Sequence, residues 1–501
     1  MAFSFQLTGG LYLGSLNEMI GGMSLMREDI LMCLYMNLAG MAIYFPILFR
    51  MKFRFTNKTL LIGAAATLAI CNMLTITITL LPLLWIVCFI AGCAKIQGTF
   101  ECMSNIQLWI TPKRNFGVFF PVLHIIILCS MQISDLLTVH LTYHFGWKYM
   151  HLFIIALMLA VILTMLLLTK RCRIIPKVTL RGIDWTGGML WVLFSAQIIY
   201  IFNYGDWLDW YNSPIITTIT GTALITLGVA VHRMFHSLHP FIEPEMWRSK
   251  YMKPIILLIA IVEALFATEH VLEEIFMEEG LKYASITSSL LDWAVIAGIL
   301  FGVAVSLLWL NVLRMSYYKL LAIGMGALAL YLAEMYARIS PSINMQLLCE
   351  PLFLRGFSYA VLSATLMLSL QQVMSFKHFF QSLCVFNMLH MTIGGVVGAA
   401  IYATGMRYYM SDNIARYAQH IDSVRFTMSP FDFGEWMEKF IESMLMVSVK
   451  QIYGWVLYVC IFVTLMFLLY DRPFVRHTLR RIPSWRTVGR RIASMAIHYV
   501  R

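Results

Sequence analysis

Apolar runs of about twenty residues, each long enough to cross roughly 30 Å of hydrocarbon, recur along the whole chain between short polar and often basic breaks. They lie near 3–22, 29–49, 59–79, 82–104, 116–137, 149–169, 183–204, 213–232, 252–275, 290–311, 318–337, 343–371, 378–405 and 450–470, and predict fourteen membrane helices, the first the weakest. The runs are continuous instead of alternating, which excludes a closed β-barrel. The expected class is an all-α integral membrane protein. Polar segments divide it into a six-helix block over 1–170, two further helices with basic linkers over 171–251, a second six-helix block over 252–470, and a basic tail over 471–501. The one long external segment is 406–449, whose second half has helical apolar spacing suited to the membrane surface; it is read as a connector, with a lid as the alternative.

Composition agrees with that reading. Of 501 residues 60% are apolar and 13% charged, with a mean hydropathy of +0.75, and no ordinary soluble domain has such a balance. The net charge of +11 reports loop placement and no nucleic-acid partner. With the N-terminus in the cytoplasm, Arg50, Lys52, Arg54, Lys58, Lys113, Arg114, the 170–182 cluster, Arg233, Arg248, Lys250, Lys253, Arg314, Lys319, Lys377 and the arginine-rich tail all fall inside. The expected topology is therefore N-in and C-in, with the tail as a topology anchor and no cleavable signal peptide.

Chemistry other than transport has little footing. Ten cysteines are scattered without a C-x-x-C pair, so neither a disulfide framework nor a thiolate metal site is indicated. No Walker-type, H-E-x-x-H or G-x-S-x-G motif occurs, and the sequence points to a non-enzyme without cofactor. His232, His236 and His239 have helical spacing that suits zinc, but they lack an evident fourth ligand in a basic linker, so no metal is assigned.

The segment 181–216, RGIDWTGGMLWVLFSAQIIYIFNYGDWLDWYNSPII, resembles the stretch around the seventh span of the fourteen-span drug:proton antiporters of the major facilitator superfamily (EmrB/QacA type). Asp184, Trp185, Gly187, Gly205, Trp210, Ser213 and Pro214 carry the likeness. HPFIEPEMWRSKYMKP (239–254), FGWKYMHLFI (145–154), LRGFSY (354–359), TIGGVVGAAIYAT (392–404) and KIQG (95–98) are similar to further elements in the same order. Other family motifs are changed. Phe53 and Thr56 replace an aspartate and a glycine of the loop after the second span, Ser134 to Val139 replace the fifth-span G-P-x-x-G-G, and the first-span acid moves to Glu18 beside Asn17.

The resemblance implies two six-helix bundles plus a central extra pair, with the first, fourth, ninth and twelfth spans lining a cavity. It implies proton-coupled efflux of drug-like or amphipathic molecules across a bacterial inner membrane. Similar proteins work with a periplasmic adaptor and an outer-membrane channel. The intramembrane charges fall on those four spans: Glu18; Lys95 and Glu101; Glu263, Glu269, His270, Glu273 and Glu274; Glu350 and Arg355. At about 100° per residue Glu263, His270 and Glu274 share one face of the ninth span over about 16 Å, an arrangement suited to proton movement. Glu263 is expected to act in coupling with Arg355 as its charge partner, assisted by Glu18, Glu101 or Asp135; Glu269, Glu273 and Glu274 are also readable as hydrated vestibule residues. Lys95, Gln97, Glu101, Asn105, Asn17, Arg355 and Glu350 are expected at the substrate cavity, although interhelical packing explains the Gln97, Glu101, Asn105 stripe equally well. Asp135 is equally readable as a cap of an external helix end. A non-transporting scaffold that keeps the fold, or a differently coupled carrier, remains the alternative.

Overall fold

The protein is described by a computed structural model over residues 1–9, 11–111, 115–169, 183–248, 252–313, 315–374, 376–419 and 430–470. The basic stretch 170–182, residues 420–429, the tail 471–501 and the side chain of His270 lie outside the described residues. Among the described residues the structure is helical throughout, without strands. Thirteen helices are long and apolar enough to cross a membrane, and the protein is an integral membrane protein.

The second to eighth spans are Arg27–Arg54, Asn57–Thr77, Leu81–Ile110, Phe116–Phe145, Trp147–Leu168, Trp185–Tyr204 and Pro214–His236. The ninth to twelfth are Met252–Gly280, Ser285–Val312, Tyr317–Arg338 and Met345–Val373, and the thirteenth is His378–Ala418. The last helix runs over Pro430–Tyr470. The expected 406–449 connector is therefore largely a continuation of the last two helices. Its polar residues pair along the helix, Arg416 with Asp412 at 2.9 Å and Lys439 with Glu435 at 2.7 Å, the i,i+4 spacing that supports exposed helical turns.

The first segment is the exception to continuous helix. It forms three short helices, Ala2–Gln6, Leu11–Gly14 and Leu16–Met23, ended by Ser24 in the left-handed region. The break follows from Gly9 and Ser15, poor residues for a helix interior. Backbone groups freed inside a membrane protein need partners, and hydroxyls supply them. Thr8 Oγ1 donates to the Phe5 carbonyl at 2.9 Å, Ser134 Oγ to the Leu7 carbonyl at 2.5 Å, and Ser15 Oγ to the Leu11 carbonyl.

The contacts divide the described residues into two units, one within 1–109, 130–290 and 370–411, the other within 110–129, 291–369 and 412–470. In the first, the second and fourth spans cross at glycines. A Cβ on Gly92 would lie 1.9 Å from the Asn37 carbonyl oxygen, and one on Gly40 2.2 Å from that of Phe89. In the second unit the tenth and twelfth spans do the same, Gly298 against the Phe353 carbonyl at 2.1 Å and Gly356 against that of Val295 at 2.2 Å. Backbones this close are what small residues permit where apolar lipid offers helices no hydrophobic reason to associate. The second and fourth helices of each expected six-helix half are thus joined by the same device.

Helix starts are fixed by side-chain caps at Thr56, Asn115, Asp184 and Ser316. Asp184 also ties the seventh span to the eighth, since Arg233 Nη2 and Nε donate to its Oδ1 at 2.7 and 2.9 Å. Burial alone would raise the Asp184 pKa, but the Arg233 guanidinium and the Gly187 N–H outweigh it and hold the carboxyl below its usual value. A depressed pKa contributes stability above the unfolded value, near pH 4, that is lost as pH falls through the folded one. Asp184→Asn is therefore expected to melt a few degrees below wild type at neutral pH, with the gap closing on acidification. A gap that does not change with pH would remove the carboxylate charge from the stability of this helix pair.

Candidate functional site

The ninth span holds the candidate site because it is not a regular helix. An α-helix over Met252–Phe266 tightens into a 3₁₀ turn at Ala267–His270, breaks at Val271, where φ is −128° and ψ −58°, and continues through Leu272–Glu274 into a π turn at Ile275–Gly280. The shared face expected for Glu263, His270 and Glu274 rests on a constant angle per residue, which does not hold across the break, and the side chain of His270 lies outside the described residues. The acids separate instead. Glu263 is buried at 6% exposure and Glu273 at 5%, so Glu273 is no hydrated vestibule residue.

The partner seen for Glu263 was missed in the sequence. His390 Nδ1 lies 2.7 Å from Glu263 Oε2, the carboxylate 8% and the imidazole 34% exposed. His390 begins a π-helical stretch, His390–Val397, in the thirteenth span. One turn on, a Cβ on Gly394 would meet Glu263 Oε2 at 2.9 Å and the Glu263 Cβ at 3.3 Å, so glycine leaves the space that the carboxylate occupies. Tyr402 donates to the Ala264 carbonyl at 2.8 Å and Tyr35 to that of Gly395 at 3.1 Å, which fastens the thirteenth span to the ninth and second. The signal available in the sequence was His390 and Gly394, four residues apart in an apolar run. Arg355, expected as the partner, is buried at 5% in the twelfth span of the second unit.

Chemically the pair joins an accessible imidazole to an inaccessible carboxylate. Glu274 is held through both carboxylate oxygens by Arg27 Nη2, at 2.9 and 3.0 Å, at the start of the second span. Close by, Asp29 accepts from Tyr204 at 2.5 Å and the Glu28 carbonyl from Asn203 at 2.7 Å.

The other candidates scatter. Glu101 is fully buried, but Lys52 Nζ lies 3.4 Å from its Oε2 and Gln97 Nε2 donates to its Oε1 at 3.2 Å. Asn105 is exposed and accepts from Asn57 at 3.0 Å. The stripe on the fourth span therefore packs against the end of the second and the start of the third. Glu350 is bound by Arg338 at 2.5 Å with its side chain 66% exposed. Asn17 is exposed and Glu18 half-buried on the third short helix. Asp135 lies well inside the fifth span, where a Cβ on Gly14 would stand 3.1 Å from its Oδ1. It is no helix-end cap. Lys95 is buried at 4%, and among the described residues it makes no hydrogen bond or ion pair.

Donors that could suit a metal meet at Glu243, Glu245 and His378, all within 4.8 Å. His378 Nε2 is already engaged by Glu243 Oε2 at 2.8 Å, and Glu245 is 60% exposed. The rings of His232 and His236 stack on each other at 4.1 Å.

No family model matches the sequence, and no curated protein matches it significantly. Solved structures do match. A point mutant of the nucleoside transporter NupG aligns with a TM-score of 0.56 at 13% identity, covering 93% of this chain and 97% of that one. A bacterial homologue of the human lysosomal transporter Spinster, in an inward-facing unoccupied conformation, gives 0.54 at 12%, covering 95% and 96%. The human organic anion transporter MFSD10 (TETRAN) gives 0.52 at 10%, covering 92% and 97%. At these identities the likeness is one of fold: the chain is an all-helical integral membrane protein with the major-facilitator fold.

Proposed function

We propose that the protein is a secondary transporter that moves amphipathic small molecules outward across the membrane in exchange for protons, with Glu263 and His390 as the proton-coupling pair. The observation that carries this reading is a buried carboxylate hydrogen bonded to a more accessible imidazole inside two membrane helices, the ninth span leaving α-helical geometry one turn after Glu263 and the thirteenth at His390. Ionisable groups at such depth are costly and mark proton or substrate pathways. Irregular helix at membrane depth is where transporters place their coupling groups. The neighbours in fold are, by their own descriptions, carriers of nucleosides, organic anions and peptides, which supports transport and leaves the substrate of this chain open.

Protonation of the pair would shift the balance between inward- and outward-open states, since a ligand moves such an equilibrium only by binding the two states differently. The Arg27–Glu274 ion pair, between the second and ninth spans, is a contact that such a change would break. The distribution of basic residues supports an orientation with both termini in the cytoplasm. The test is transport by the purified protein in proteoliposomes under an imposed pH gradient, with a panel of cationic dyes and bile salts. Gradient-dependent movement of at least one compound supports the reading. A membrane scaffold that merely keeps the fold would show none.

A further inference from the structure

We propose that Glu243, Glu245 and His378 form a binding site for a divalent transition-metal ion of the zinc class, which ties the connector between the eighth and ninth spans to the start of the thirteenth. The site stands independently of the transport reading. Among the described residues this is the one place where three metal-ligating side chains converge, with their donor atoms all within 4.8 Å of one another. His378 Nε2 lies 2.8 Å from Glu243 Oε2 and 3.8 Å from Glu245 Oε2. A tetrahedral ion with bonds of about 2.0–2.1 Å holds its ligand atoms about 3.3–3.4 Å apart, a spacing that falls between these two distances. Glu245, whose side chain is 60% exposed, has room to close the longer gap by a change of rotamer.

The connector that carries the acids is packed against the helices. Phe241, Ile242 and Met246 are buried, and a Cβ on Gly188 of the seventh span would stand 3.2 Å from the Phe241 ring. Pro244, between the two acids, fixes its own φ and restricts Glu243 before it. The Glu243 N–H donates to Gln381 Oε1 at 3.2 Å, and Gln381 stands one turn beyond His378 on the helix Phe376–Leu389. That bond sets the acid opposite the imidazole, the kind of outer support that metal ligands receive. Charge favours the ion as well. The imidazole Nε2–H serves one carboxylate of the pair, and Glu243 has it; Glu245, at 3.8 Å, is beyond hydrogen-bond reach of that nitrogen. A divalent cation engages both acids at once, and the neutral imidazole with its proton on Nδ1 presents the Nε2 lone pair to it. One nitrogen and two carboxylate oxygens without sulfur suit zinc or manganese and leave a position for water. Magnesium and calcium take oxygen ligands and are disfavoured by the nitrogen.

The experiment strips the full-length protein in lipid nanodiscs with a chelator and then titrates zinc, reading bound metal by equilibrium dialysis and the melting temperature in parallel. Wild type is expected to take up zinc saturably, with a rise in melting temperature that follows occupancy and that calcium at the same concentration does not produce. Glu245→Gln, at an exposed position, is expected to fold as wild type and to weaken zinc binding at least about tenfold, the loss that even an outer partner of a metal ligand causes. His378→Ala is expected to weaken it further; if that variant does not fold, Glu245→Gln decides alone. The double variant His232→Ala with His236→Ala removes the stacked histidines of the eighth span, the other place where zinc can gather, and is expected to keep the site. No saturable zinc uptake by wild type, an equal response to calcium, an unchanged affinity in Glu245→Gln or in folded His378→Ala, or loss of uptake in the double variant would overturn the proposal.

Discussion

Glu263→Gln is expected to insert and purify like wild type and to lose gradient-driven transport by about tenfold or more, because a glutamine keeps the hydrogen bond to His390 but cannot hold the exchanged proton. The substitution is close to isosteric, so the space left by Gly394 stays filled and the packing of the ninth span on the thirteenth is preserved. Energy-independent exchange of substrate down its own gradient is expected to survive, since that cycle needs no proton. His390→Gln is expected to be milder. It slows proton delivery to a carboxylate that is itself 8% exposed, and transport should become less sensitive to external pH without disappearing. The check is paired initial rates of the three proteins, with and without an imposed pH gradient. Equal gradient-driven rates for wild type and Glu263→Gln would take the carboxylate out of the mechanism.

The second large effect is structural. Gly92→Val is expected to abolish the folded protein, because the new Cβ would stand 1.9 Å from the Asn37 carbonyl oxygen, a backbone atom that cannot swing aside. Overpacking of a close helix crossing costs typically 1–3 kcal/mol and more when backbone must move, here more than about 3 kcal/mol. Gly356→Val in the second unit meets the Val295 carbonyl in the same way at 2.2 Å and is expected to do the same. Gly63→Ala is the control, with nothing within 4 Å of its added Cβ. Monodisperse yield after detergent extraction distinguishes them. Normal yield of both valine variants would mean that these helix crossings are looser than the geometry implies.

Much of the fold was legible because bilayer thickness acts on every span alike. Thirteen of the fourteen expected helices coincide with helices long and apolar enough to cross, and the weakest, the first, is the one that breaks at Gly9 and Ser15. What hydropathy could not locate was the end of a helix that leaves the membrane as a helix. The last two spans continue through polar residues whose i,i+4 ion pairs need no lipid. The close glycine crossings were also hidden, since Gly40 and Gly92 each look like an ordinary small residue until the partner backbone is known.

The site was legible in part. Glu263 stood out by depth, and it is buried. The face shared with His270 and Glu274 was an extrapolation of regular geometry through a 3₁₀ turn, a break and a π turn, none of which apolar spacing reveals. His390 was overlooked because a single histidine in an apolar run is ordinary by composition, and only the fold brings its Nδ1 to the ninth span. On the fourth span Gln97 bonds to Glu101, and Glu101 and Asn105 meet neighbouring helices through Lys52 and Asn57.

The most direct measurement of the central claim is proton movement itself. Proteoliposomes containing a pH-sensitive dye and wild-type protein are given a transported compound on one side with no imposed gradient. The account predicts a substrate-dependent change of internal pH, absent in liposomes carrying Glu263→Gln and in empty liposomes. Substrate movement by wild type with no accompanying pH change, or an equal pH change with Glu263→Gln, would contradict it.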